Sequence, residues 1–155
     1  MRSTRVSMAL LCWVASAWTS NGSTILPQVV VIGKPERAVI FTYRVIAGAK
    51  ALNYCERSNI PMQTSSGFMN GSRAVRVEYF EKHQWIVDIS GLSDVAVRYE
   101  SVKLLPGQSR DHPLRVYDPG KYRLRLDYSF DDHIDCSVGV PKHAKRAFSS
   151  VLQIN

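Results

Sequence analysis

Residues 122–130 alternate without interruption. Tyr122, Leu124, Leu126, Tyr128 and Phe130 fall on one side, and Arg123, Arg125, Asp127 and Ser129 on the other. A period of two fits a strand with one buried face and cannot build an apolar stripe on a helix, whose period is 3.6. The pattern recurs along the chain. Val39, Phe41, Tyr43 and Val45 oppose Ile40, Thr42, Arg44 and Ile46. Val75, Val77 and Tyr79 form a third set, followed by Trp85, Val87 and Ile89, by Val95, Val97 and Tyr99, and by Phe148, Ser150, Leu152 and Ile154. Shorter runs at 29–32, 52–55 and 114–116 complete the series. Turn residues separate them at 35–37, 47–49, 104–109 and 118–120. In the run Leu104-Leu-Pro-Gly-Gln-Ser109, Pro106 presets φ at the second turn position and Gly107 supplies a positive φ at the third. No later segment has an amphipathic helical period. The chain is therefore expected to be all-β, an antiparallel sandwich of about seven to nine strands that each bury one face.

The N-terminus breaks this pattern. Arg2 and Arg5 precede an apolar run at 6–14, and Ala15-Ser16-Ala17 supplies an A-x-A cleavage site. These are the three parts of a secretory signal peptide. The expected organisation is a signal at 1–17 and one sandwich domain at 18–155, secreted or periplasmic. No other segment reaches the ~20 apolar residues a membrane-spanning helix needs. Removing 1–17 lowers the net charge from +7 to +5, a basic excess that favours anionic partners. Lys142, His143, Lys145 and Arg146 are the one basic cluster. They read as a solvated loop, and no nucleic-acid partner is expected. Removing the signal also removes Cys12 and leaves Cys55 and Cys136, an even pair for an oxidising compartment and the expected disulfide. Asn21 and Asn70 open N-x-Ser sequons and so read as surface loops.

Asp118, Gly120 and Tyr122 form D-x-G-x-Y, which resembles the tyrosine corner of immunoglobulin-like sandwiches. The resemblance implies an immunoglobulin-like topology in which the Tyr122 hydroxyl bonds back to the backbone as the chain crosses between sheets. The antibody pattern itself departs at Leu124, where a cysteine would stand. Three further segments, at 38–46, 104–109 and 119–125, resemble the bacterial intracellular-proteinase-inhibitor type of sandwich and the pro-region of deuterolysin-type metalloendopeptidases. In both, an L-x-P-G-x-S turn precedes a strand and a P-G-x-Y turn opens the penultimate one. The resemblance implies a binding or inhibitory module. The metallopeptidase motif H-E-x-x-H is absent, and no functional residue transfers.

Loops at the ends of a sandwich carry its binding residues. Two long ones stand out, 56–73 with Arg57, Met62 and Phe68, and 131–146 with Asp131, Asp132, His133, Lys142 and His143. Carboxylates and imidazole crowd at Asp131, Asp132, His133 and Asp135, but their spacing matches no metal-binding loop, and a solvated hairpin tip is expected. No metal, cofactor or catalytic residue is assigned. His83, His112, His133 and His143 all fall in expected turns, and no G-x-S-x-G is present. Tyr54, Tyr79, Tyr99, Tyr117, Tyr128 and Trp85 read mainly as core or sheet-face residues. The functional expectation is an exported, non-catalytic protein-binding domain, an inhibitor or immunity-type protein directed at an exported peptidase or toxin. A cell-envelope or appendage-associated structural sandwich is the second reading, and a small hydrolase using the 131–136 cluster is the third.

Overall fold

The computed structural model describes residues 25–33, 39–58, 71–72, 74–88, 98–116 and 118–155. The signal segment, both sequon asparagines (Asn21 and Asn70), Met62, Phe68, Tyr117, Ile89, Val95 and Val97 lie outside the described residues. The described chain is all-β and antiparallel. Its strands are β1 (Gln28–Ile32), β2 (Val39–Ile46), β3 (Leu52–Arg57), β4 (Gly71–Ser72), β5 (Arg76–Glu81), β6 (Gln84–Val87), β7 (Tyr99–Leu104), β8 (Ser109–Val116), β9 (Gly120–Ser129), β10 (Lys145–Phe148) and β11 (Leu152–Ile154). Seven to nine were expected. The extra strands come from the two-residue β4 and from the division of the C-terminal strand into β10 and β11.

Four strands form one sheet in the order β1-β2-β8-β4, and seven form the other. In the larger sheet β9 is the spine. It pairs with β5 through 122–125, with β3 through 128–129, with β10 through 125–128 and with β11 through 120–122. A residue has one neighbour per edge, so the shared positions Arg125 and Tyr128 fix the layout. β5 and β3 lie along one edge of β9, and β10 and β11 along the other. The two sheets share one core. Phe41, Tyr43, Val45, Leu114 and Val116 from the smaller sheet meet Leu52, Tyr54, Val77, Leu124, Leu126, Leu152 and Ile154 from the larger. Burying each such side chain stabilises by about 1.5–3 kcal/mol.

The turn chemistry read from the sequence is present. Gln108 N–H donates to Leu105 O at 3.0 Å, and Gly107 has φ +75°. That is a type II turn with Pro and Gly at the positions that need them. The Tyr122 hydroxyl donates to the Asp118 carbonyl at 2.9 Å, and its ring lies against Gly120, where a β-carbon would sit 3.3 Å from it. The β5–β6 hairpin is less conventional. Its two loop residues, Lys82 (φ +49°) and His83 (φ +64°), occupy the left-handed region without the Asn-Gly pair that such a turn favours.

Two segments depart from the sequence reading. β8 starts at Ser109 rather than 114, because its polar residues are accommodated. His112 was expected in a turn, yet it is 2 % exposed, stacked on the Tyr43 ring at 5.2 Å. Its Nε2 lies 3.1 Å from the Tyr54 hydroxyl and its Nδ1 3.8 Å from Glu56 Oε1. The tautomer protonated on Nδ1 suits both neighbours, with the Tyr54 hydroxyl donating to Nε2. The C-terminal strand is the second departure. Phe148 pairs with Arg125 and Leu152 with Tyr122, so four residues on one strand span three on the other. One extra residue is a β-bulge. Ser149 closes it, its N–H donating to Leu124 O and its hydroxyl accepting from Leu124 N–H, both at 2.9 Å. The bulge flips the side-chain parity. Leu152 and Ile154 are buried, whereas Phe148 is turned to the outside and 45 % exposed.

Cys55 and Cys136 form a disulfide across 81 residues, with Cα atoms 5.5 Å apart. On the chain-entropy account, closing such a loop stabilises by about 4–5 kcal/mol. Cys55→Ser/Cys136→Ser is expected to lower stability by about 2–4 kcal/mol, read as the shift in urea midpoint against the oxidised chain. Equal midpoints would show that the bond constrains nothing in the unfolded ensemble.

Burial, followed by the nearby Glu56 charge, raises the Tyr54 phenol above its ordinary value of 10.0. The folded chain then holds this proton after the unfolded chain has lost it, so the stabilisation is full below pH ~10 and falls as pH rises further. Tyr54→Phe is expected to cost about 1 kcal/mol near neutrality through the lost hydrogen bond and to flatten the alkaline fall in Tm. A wild-type-like alkaline profile would refute that assignment.

Candidate functional site

The two loops singled out by sequence have different fates. Arg57 belongs not to a loop but to β3, where every residue is buried, and it is 6 % exposed. The strand runs two residues past Cys55 because 52–57 pairs along its whole length with 99–104 of β7. Arg57 therefore offers no exposed contact. The other loop exposes Asp131, Asp132, His133, Lys142 and His143, as expected. It is not a free tip, however, but is fastened over the outer face of β3 and β7. Cys136 is bonded to Cys55, Asn53 Nδ2 donates to Asp131 O at 2.6 Å, and Lys103 reaches Asp132 at 2.8 Å. Tyr99 packs against Gly139, where a side chain would overlap its ring. The Lys103 hydrogen bond holds the Asp132 carboxyl below its usual range, and the Ser137 N–H does the same for Asp135. These carboxylates are committed to holding the loop. Among the described residues no group of three or more His, Cys, Asp or Glu is placed to take a metal ion.

A cleft of about 480 Å³ opens between β7 and β8, lined by Glu56, Ser58, Glu100, Ser101, Val102, Lys103 and Arg110. Its walls are largely polar, and three of its charges have partners already. Glu56 pairs with Arg110 at 3.0 Å and Lys103 with Asp132. Ligand sites are mostly apolar with a few convergent polar groups, and this cleft has the opposite character.

The outer face of β6, β5, β9 and β10 has the character of a binding surface. Register places Glu78 opposite Arg123, Arg76 opposite Arg125, Arg146 opposite Asp127 and Phe148 opposite Arg125, all on the side away from the core. Glu78, 3 % exposed, accepts from Arg123 Nε and Arg125 Nη1, each at 2.7 Å. Asp127 lies among three guanidiniums, with Arg76 at 3.3 Å, Arg125 at 3.4 Å and Arg146 at 3.6 Å. Above this layer the Arg123 guanidinium is held between two rings, 4.5 Å from Trp85 and 4.3 Å from Phe148. Phe80 packs on Trp85 at 5.1 Å and is 39 % exposed. The result is a rigid strip of rings and guanidiniums, apolar and cationic side by side.

Sequence reasoning placed Arg123, Arg125 and Asp127 on the outward face of their strand and Trp85 on a sheet face. It did not bring Phe80, Arg76, Arg146 and Phe148 to the same strip. The signal for Arg76 and Phe80 was their alternation with Val75, Val77 and Tyr79. Phe148 was hidden by the bulge, which reverses its apparent side.

Glu78 neutralises two guanidiniums in a mostly dry setting, so Glu78→Gln leaves them facing a neutral amide. Breaking such a pair costs about 3–5 kcal/mol, and urea denaturation is expected to show a loss near the lower end. An unchanged midpoint would show that solvent satisfies both arginines.

Among the described residues no helix is long and apolar enough to cross a membrane. A scan against protein-family models, a search of curated proteins and a search of solved structures each find no match for this chain.

Proposed function

We propose that this chain is an exported, non-catalytic, immunoglobulin-like sandwich that binds another protein and neutralises a secreted or periplasmic enzyme, as an inhibitor or immunity protein does. The observation that carries this reading is the Trp85–Arg123–Phe148 stack with Phe80 beside it. Aromatic residues and arginine are enriched at protein interfaces and among the residues that dominate their energetics. Here they are immobilised by stacking and ion pairing before any partner arrives, so less side-chain entropy is lost on binding. The signal-like segment at 1–17 and the Cys55–Cys136 bond support export, since such bonds persist in oxidising compartments. The tyrosine-corner hydrogen bond supports the immunoglobulin-like description.

An open sheet edge favours a second reading, that of an envelope or appendage component. Among the described residues β7 pairs on one side alone, leaving an edge for strand addition.

The test is affinity capture with residues 18–155 from an extract of the source, read by mass spectrometry and followed by assay of the captured protein. One stoichiometric exported enzyme, inhibited by the chain and retained at least tenfold less by Phe80→Ala/Phe148→Ala, is the expected outcome. Self-association at micromolar concentration without any captured enzyme would favour the structural reading instead.

A further inference from the structure

The outer strip is unbalanced in charge. Arg76, Arg123, Arg125 and Arg146 surround two carboxylates, Glu78 and Asp127. Lys121, opposite Gln153, continues the same column of β9 and is exposed. The four arginines are not equivalent. Arg123 and Arg125 hold Glu78 at 2.7 Å and are largely covered, with side chains 26 % and 13 % exposed. Arg76 and Arg146 approach Asp127 at 3.3 and 3.6 Å from opposite sides, with side chains 43 % and 62 % exposed. Asp127 is 8 % exposed and already bound to Arg125, so it does not neutralise both. Two guanidinium forks therefore stand at the surface on either side of β9. They sit on strands two steps apart, roughly 10 Å, and the exposed Phe148 ring shares the same face on β10.

We infer that the partner of this face presents an acidic, extended segment, whose carboxylates pair with Arg76 and Arg146 while its apolar side chains rest on Phe148 and Phe80. This deepens the proposed function and rests on it in taking the strip as the protein interface. Arginine forks match carboxylates in paired hydrogen bonds. Alternate side chains of an extended segment lie ~6.8 Å apart, a spacing that lets carboxylates and apolar groups reach the strip together. The net charge of +5 left once residues 1–17 are removed extends the attraction beyond contact. A sulfated glycan would satisfy the arginines but would leave exposed phenylalanines without a function, so an acidic polypeptide fits the mixed surface better.

The probes are a short synthetic peptide of glutamates interspersed with leucines, the same peptide with lysine in place of glutamate, and a heparin-type sulfated oligosaccharide. Each is titrated into the full mature chain and followed by amide NMR. The acidic peptide is expected to shift amides of β5, β9 and β10, and the basic one to shift none. Arg76→Gln/Arg146→Gln is expected to weaken the acidic peptide about tenfold or more while the chain stays folded, with Arg76→Lys/Arg146→Lys, which keeps both charges beside Asp127, intermediate and closer to the wild-type melting profile. Binding that ignores the double glutamine change, maps elsewhere or is absent would overturn the inference, as would tighter binding of the oligosaccharide. If an enzyme is captured through Phe80 and Phe148 but the acidic peptide does not bind, the acidic-partner inference fails alone. If the acidic peptide binds the strip and no enzyme is captured, the inhibitor reading fails alone.

Discussion

The structure depends on the pairing of β9 along both of its edges. Ten residues serve four other strands, β5 and β3 on one side and β10 and β11 on the other. A strand so enclosed loses water from its backbone and, in part, from both faces. On the inner face this favours folding, since Leu124 and Leu126 are fully buried among apolar neighbours. On the outer face it imposes a constraint. Asp127 on that strand and Glu78 beside it become nearly inaccessible to water, and a buried carboxylate must be paired or it becomes costly. The arginines of β5, β9 and β10 answer that constraint, and the chemistry of the exposed face follows from it.

Two local devices determine how much of that outer face stays open. The disulfide fastens the 131–144 loop over β3 and β7, aided by the Tyr99 ring against Gly139 and by Lys103 on Asp132. The bulge at Ser149 works on the opposite side of β9. By adding one residue between β10 and β11 it sends Leu152 and Ile154 into the core while turning Phe148 out over Arg123. One half of the sheet is thus covered and the other displays rings and guanidiniums. Core packing and surface display are coupled through a single extra residue.

The strip also illustrates what buried ion pairs supply besides stability. Such pairs contribute little net stability, because desolvation offsets their attraction. Their value here is geometric. Glu78 fixes Arg123 and Arg125, and Arg123 in turn holds Trp85 and Phe148 at stacking distance on either side. A flat sheet has no pocket, so rigidity must come from such bracing.

Much of the fold was legible in the sequence because its cause is local. Alternation in 122–130 requires a strand with one buried face, Pro106-Gly107 requires its turn, and Asp118, Gly120 and Tyr122 announced the hydrogen bond that the structure contains. The even pair of cysteines, likewise, pointed to the Cys55–Cys136 bond. What tertiary structure decided was everything set by register and parity. His112 reads as a polar turn residue until Tyr43 and Tyr54 are placed around it. Arg57 reads as a loop residue until β7 pairs with it. Phe148 reads as core until a bulge flips it, and Arg76, Arg123 and Arg146 become neighbours across three strands only when hydrogen bonding fixes which residue faces which. Alternation along one strand reports which face a side chain takes, but which side chains share that face across strands is set by the pairing register of the folded sheet.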